Sequence, residues 1–170
     1  NSYLSIEKSS KEFTSSSINW SHSDNAQIYQ LKMIVRYRNY FSGVIVNNKE
    51  FEWVLPIISY DGNEEISQII SGQQFFSKLE IEINKNISNG ENPDYDRKIV
   101  GVDIQISAAT EDLNTYIQVN QPLSGISQQR PTFTNINNGI GIFTSRYNYY
   151  VNNLQISEAT QQGLFSELPQ

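Results

Sequence analysis

The chain has 170 residues, enough for one hydrophobic core and too few for two ordinary domains. With no cysteine and a single histidine, it excludes disulfides, thiolate nucleophiles, cysteine-based zinc sites and any site built from several imidazoles. A net charge of −6, from 12 Lys plus Arg against 18 Asp plus Glu, argues against a duplex-binding face, and no nucleic-acid partner is expected.

Residues 1–25 alternate short β-prone pieces, Tyr3-Leu4-Ser5-Ile6 and Ser17-Ile18-Asn19-Trp20, with serine clusters, and read as edge strands and loops. A strand is predicted over residues 27–37, where Tyr29, Leu31, Met33, Val35 and Tyr37 share one face. Phe51, Trp53, Leu55 and Ile57 repeat the pattern, with Asn47-Asn48 as the expected turn before them and Pro56 placing this strand at an edge or strand end. Asp61-Gly62-Asn63 closes the run as a turn.

After Gly72 the period changes. Phe75 or Phe76, Leu79, Ile83 and Ile87 form a helical stripe expected to lie on the sheet, ended by the turn residues of 89–94. A third strand is predicted over residues 98–107, with Val100, Val102, Ile104 and Ile106 on one face. Thr110 is a suitable N-cap for a short helix carrying Leu113, Tyr116 and Ile117, which should stop before Pro122. A polar loop spans residues 121–131, and Asn138-Gly139 is a strong hairpin signal with expected arms at 132–136 and 140–147. The pattern predicts an α+β domain over residues 1–150, a mainly antiparallel sheet with two helices packed on one face, followed by a polar tail at 151–170 with Leu154, Ile156, Leu164 and Phe165 as anchors for partial packing. A β-sandwich carrying inserted helices is the alternative.

Candidate chemistry is sparse, and no catalytic residue is assigned. His22 lies in Trp20-Ser21-His22-Ser23-Asp24, but neighbours in sequence rarely form a triad, and a loop histidine is the expectation. Glu91, Asp94 and Asp96 crowd one loop. They could serve a carboxylate-dependent hydrolase only opposite a distant second acid, or take calcium with loop carbonyls; a solvated turn is the simpler reading, and no cofactor or metal is assigned. Tyr147 and Tyr149 are candidate stacking faces for a sugar or a protein partner, and Arg130 and Arg146 flank the same region. Gly139-Ile140-Gly141 lacks the lysine and following helix of a phosphate loop. The sequons Asn19-Trp20-Ser21 and Asn86-Ile87-Ser88 matter only in a eukaryotic secretory setting.

The stretch from Gln121-Pro122 through Arg130-Pro131-Thr132-Phe133-Thr134-Asn135-Ile136-Asn137-Asn138-Gly139-Ile140-Gly141-Ile142-Phe143 to Ser145-Arg146 resembles the C-terminal part of Bacteroidota cell-envelope lipoproteins of unknown function. Gly72-Gln73-Gln74-Phe75-Phe76 and Tyr29-Gln30-Leu31 are similar to further stretches of those proteins. The resemblance implies export to the outer membrane or cell surface through a lipid-modified cysteine upstream of Asn1, and partners among membrane proteins such as outer-membrane transporters or surface glycan machinery. It carries over no catalytic residue, and it marks Asn138 and Gly139 as structural. The resulting expectation is a non-enzymatic accessory or binding domain acting through a protein partner, with the loops at 89–97 and 121–131 as contact regions. A carbohydrate-binding module using exposed aromatics is the alternative, and a carboxylate-dependent hydrolase the second.

Overall fold

The computed structural model describes residues 3–4, 14–60, 62–119, 133–139 and 141–157. In chain order the elements are β1 (Tyr3–Leu4), β2 (Ser15–Ser21), β3 (Ile28–Phe41), β4 (Val44–Ser59), β5 (Glu65–Ser71), α1 (Gly72–Ser88), β6 (Asp96–Ala109), α2 (Glu111–Val119) and β7 (Arg146–Ile156). They form an α+β fold of mainly antiparallel sheets. The larger sheet has the order β1-β7-β6-β3-β4, with β1 parallel to β7, and β2 pairs with β5 in a second, two-stranded sheet.

The alternation in β3 places Tyr29, Leu31, Met33, Val35 and Tyr37 in the core, as expected. Burying each such aliphatic side chain contributes roughly 1.5–3 kcal/mol, so this central strand anchors the sheet. The turn into β4 differs from the expected one. It falls at Ser42-Gly43, whose φ values of 49° and 79° are the pair of positive angles that a two-residue type I′ hairpin requires. Asn47 and Asn48 lie inside β4 instead, and the Asn48 Oδ1 accepts a hydrogen bond from Arg38 Nε at 3.0 Å across the strands.

Two bulges alter the expected faces. Gln30 pairs with Ile57 and Lys32 with Val54, so β4 carries one extra residue at Leu55-Pro56. Past it the phase flips: Ile58 packs on the core while Ile57 is exposed. Pro56, which has no N–H to donate, thus sits at a bulge on an edge strand. In β6, Tyr37 pairs with Ile99 and Arg36 with Gly101, which makes Val100 the extra residue. Ile99, not Val100, takes the core position beside Val102, Ile104 and Ile106.

A second layer covers this face. Phe75, Phe76, Leu79 and Ile83 of α1 belong to the same core cluster as β3, together with Ile66 and Ile70 of β5. The Ser71 hydroxyl caps α1 by accepting from Gln74 N at 3.4 Å, and Asn86 Nδ2 donates to the Tyr37 hydroxyl at 2.8 Å. The strand β5 was not anticipated, although Ile66 and Ile70 lie on one face of a period-two run. By contrast, α2 ends at Val119 as expected, but Tyr116 is exposed and no α2 residue belongs to the core among the described residues. The Thr110 hydroxyl bonds to the Thr144 hydroxyl at 2.6 Å.

The expected hairpin at Asn138-Gly139 is corrected in part. The turn exists: Asn138 has a φ of 61°, and Gly139 N donates to Ile136 O at 3.4 Å. A Cβ on Gly139 would meet Ile136 Cγ2 at 2.8 Å. Among the described residues of the arms, 133–136 and 141–145 are not in strands, and ladder structure begins only at Arg146. One side chain substitutes for a ladder: Asn135 Nδ2 donates to Phe143 O and Asn135 Oδ1 accepts from Phe143 N, each at 2.7 Å. The same amide reaches Asp112 Oδ2 on α2 at 2.7 Å. Finally, β7 runs past residue 151, where the polar tail is expected to start, and ends on the buried Ile156, one of the tail's apolar anchors. Residues 158–170 and the loop at 121–131 lie outside the described residues.

Candidate functional site

Two surfaces gather the candidate residues. At one end of the large sheet, the β3–β4 hairpin reaches beyond the covering layer. Phe41, Val44, Ile45 and Val46 are there 50%, 68%, 51% and 45% exposed. Such a cluster of large apolar side chains, three of them on an edge strand with no partner on its outer side among the described residues, is unusual for a surface serving no interaction.

The loop at 89–97 stands beside it. Tyr95 meets Phe41 edge to face, with ring centroids 6.2 Å apart. Arg97, the second residue of β6, clamps this loop from below: its guanidinium donates to the carbonyls of Asn92, Pro93 and Tyr95 at 3.0–3.1 Å. Glu91 lies 3.5 Å from the same guanidinium and 3.4 Å from Lys49 Nζ, and its Oε1 accepts from the buried Asn39 at 2.8 Å. The loop is therefore a rigid platform fastened by a buried ion pair. Burial chiefly, then the charge of Glu91, pushes the Tyr37 phenol above its ordinary value of 10.0.

Asp94 and Asp96 form the exposed rim of this platform. Asp94 N donates to Asn92 Oδ1 at 3.0 Å in a local turn, and Asp96 stands 3.8 Å from Lys98 Nζ. Both are exposed, and among the described residues neither lines the cleft beside β2. Among the described residues no group of three or more His, Asp or Glu is placed to hold a metal.

His22 is not simply a loop residue. It stacks on Tyr60 with centroids 3.7 Å apart, and its Nδ1 lies 2.8 Å from the hydroxyl of the buried Tyr29, which also accepts from Ser23 N. Its backbone N donates to Glu64 O, so this one residue links both sheets. Asp24 is exposed and takes no part.

The second surface is a cleft of about 640 Å³ between β2 and the β6–β7 part of the large sheet. Tyr147 and Tyr149 both line it, on one face of β7, 65% and 54% exposed. Across from them stands Trp20 of β2, which meets Tyr29 edge to face at 5.9 Å. Ile104, Ile106 and Ala108 make its bottom and are buried. Arg146 turns to the opposite face and donates to Ser107 Oγ at 2.7 Å, while Arg130 lies outside the described residues. The structure thus brings Tyr147 and Tyr149 together, brings Asp94 and Asp96 together elsewhere, and joins neither pair to the other.

The hairpin tip escaped the sequence reading because the turn was placed at Asn47-Asn48. The signal was present in Phe41-Ser42-Gly43-Val44-Ile45-Val46, a turn dipeptide flanked by apolar residues on both sides. No protein-family model, curated protein or solved structure matches the chain.

Proposed function

We propose that this domain is a non-enzymatic binding module of an exported, lipid-anchored envelope protein. It engages a protein partner, such as an outer-membrane transporter, through the tip of the β3–β4 hairpin and the adjoining loop at 89–97. The observation that carries this reading is the exposure of Phe41, Val44, Ile45 and Val46 beside the clamped Tyr95. A rigid apolar patch loses little conformational freedom on docking, so more of its burial appears as affinity. The rim carries both signs of charge, with Asp94 and Asp96 beside Lys98, which fits a partner surface with charged residues around an apolar centre.

Pull-down from detergent-solubilised envelopes tests the proposal. The native chain should retrieve a defined membrane protein, and Val44→Asp combined with Ile45→Asp should abolish retrieval while leaving the circular dichroism spectrum unchanged. Equal retrieval by the native and doubly substituted chains would refute the assignment of this surface.

A further inference from the structure

The cleft beside β2 is lined by a strand that pairs on one side only among the described residues. We infer that it accepts an extended peptide segment of a partner chain as an added strand on β2. This inference does not rest on the hairpin tip, with which it shares no residue.

The first support is the way β2 meets the cleft. Six consecutive residues, Ser16 to Ser21, line it. A strand seen face-on presents every second residue, so consecutive lining means that the edge of β2 looks into the cleft. Among the described residues β2 pairs only with β5, which leaves the N–H and C=O groups of that edge free to bond an incoming strand.

The second support is the spacing of the opposite wall. Tyr147 and Tyr149 pair with Ala108 and Ile106 and stand two residues apart, about 7 Å at the ~3.4 Å rise of a strand. That is the interval at which side chains on one face of an added strand recur. A hydrocarbon chain in the same place would strip water from the β2 backbone without replacing its hydrogen bonds, at a cost of about 1–3 kcal/mol for each group.

Charge then defines the segment. Among the described residues no Asp, Glu, Lys or Arg lines the cleft. At the Ser21 end of β2, however, Glu65 pairs with Ser21, Glu64 accepts from His22 N, and Asp24 lies three residues on. All three side chains are exposed and none is in an ion pair among the described residues. The occupant is therefore a neutral run with apolar residues at alternate positions, followed by Lys or Arg at the end that lies against Ser21.

The test is selection of random nonapeptides displayed on phage against the native chain, with counter-selection against Tyr149→Lys. A Tyr147→Lys chain replaces it should that variant lose its native circular dichroism. Enriched peptides should alternate apolar and polar residues and end in a basic one. N-methylation at every second amide should weaken binding at least about tenfold, whereas N-methylation at the intervening amides should not. Asp24→Asn with Glu65→Gln should remove the preference for the basic end and keep the alternation. Val44→Asp should leave peptide binding unchanged, which separates this inference from the function proposed above. Failure to enrich any peptide over the counter-selected variant would overturn the inference. So would binding indifferent to N-methylation, or soluble oligosaccharides that bind the native chain and not Tyr149→Lys.

Discussion

Tyr37 holds its phenol in the core, where Asn86 donates to it and Glu91 stands near. Because burial and the Glu91 charge raise its pKa above 10.0, the fold keeps a proton that the unfolded chain surrenders. Tyr37 thus leaves stability unchanged below about pH 10 and lowers it as the pH climbs beyond, since the unfolded state then binds fewer protons. Urea midpoints measured between pH 8 and 11 should fall less steeply for Tyr37→Phe than for the native chain. The variant should also lose about 1 kcal/mol at neutral pH with the Asn86 bond. Parallel alkaline slopes would show that Tyr37 ionises as freely folded as unfolded. At this scale the sequence was a good guide to the core: the alternation of Tyr29 to Tyr37 could only come from a half-buried strand. It was a poor guide to His22, because stacking on Tyr60 depends on two residues that meet only when the sheets pack.

Among the elements, the loop at 89–97 owes its order to Arg97 and Glu91, whose side chains are 3% and 6% exposed. Removing one partner strands a buried charge. Glu91→Ala should therefore destabilise the domain by about 3 kcal/mol and speed hydrogen exchange at the amides of Asn92, Asp94 and Tyr95, which thermal unfolding and exchange rates would report. An unchanged melting temperature would mean that the three carbonyls bonded to Arg97 suffice alone. The loop itself was legible from its turn residues, but its clamp was not: nothing local distinguishes Arg97 from Lys98, and only the register of β6 turns one inward and the other out. The same limit explains Val100 and Ile57, whose faces were misassigned because a single bulge residue inverts every side chain beyond it. The arms around Asn138-Gly139 fail differently. Their β-prone residues are bridged by Asn135, so the expected ladder is replaced by one amide.

For the molecule as a whole, two layers meet at His22, which stacks on Tyr60 at the end of β4 while its backbone binds the β5 side. His22→Ala removes that stack and the bond to Tyr29, and unfolding in urea should become easier by about 1–2 kcal/mol. No loss would place the junction in Trp20 and Tyr29 instead. Above this junction the covering layer leaves two regions of the large sheet open, the β7 tyrosines and the hairpin end, and the proposed function rests on the second. The most direct measurement is photocrosslinking from position 45 in envelope membranes, with position 81 on the exposed side of α1 as the reference. A binding module working through its hairpin end should give one discrete adduct with a membrane protein from position 45 and none from position 81. Adducts from position 81 with none from position 45 would contradict it.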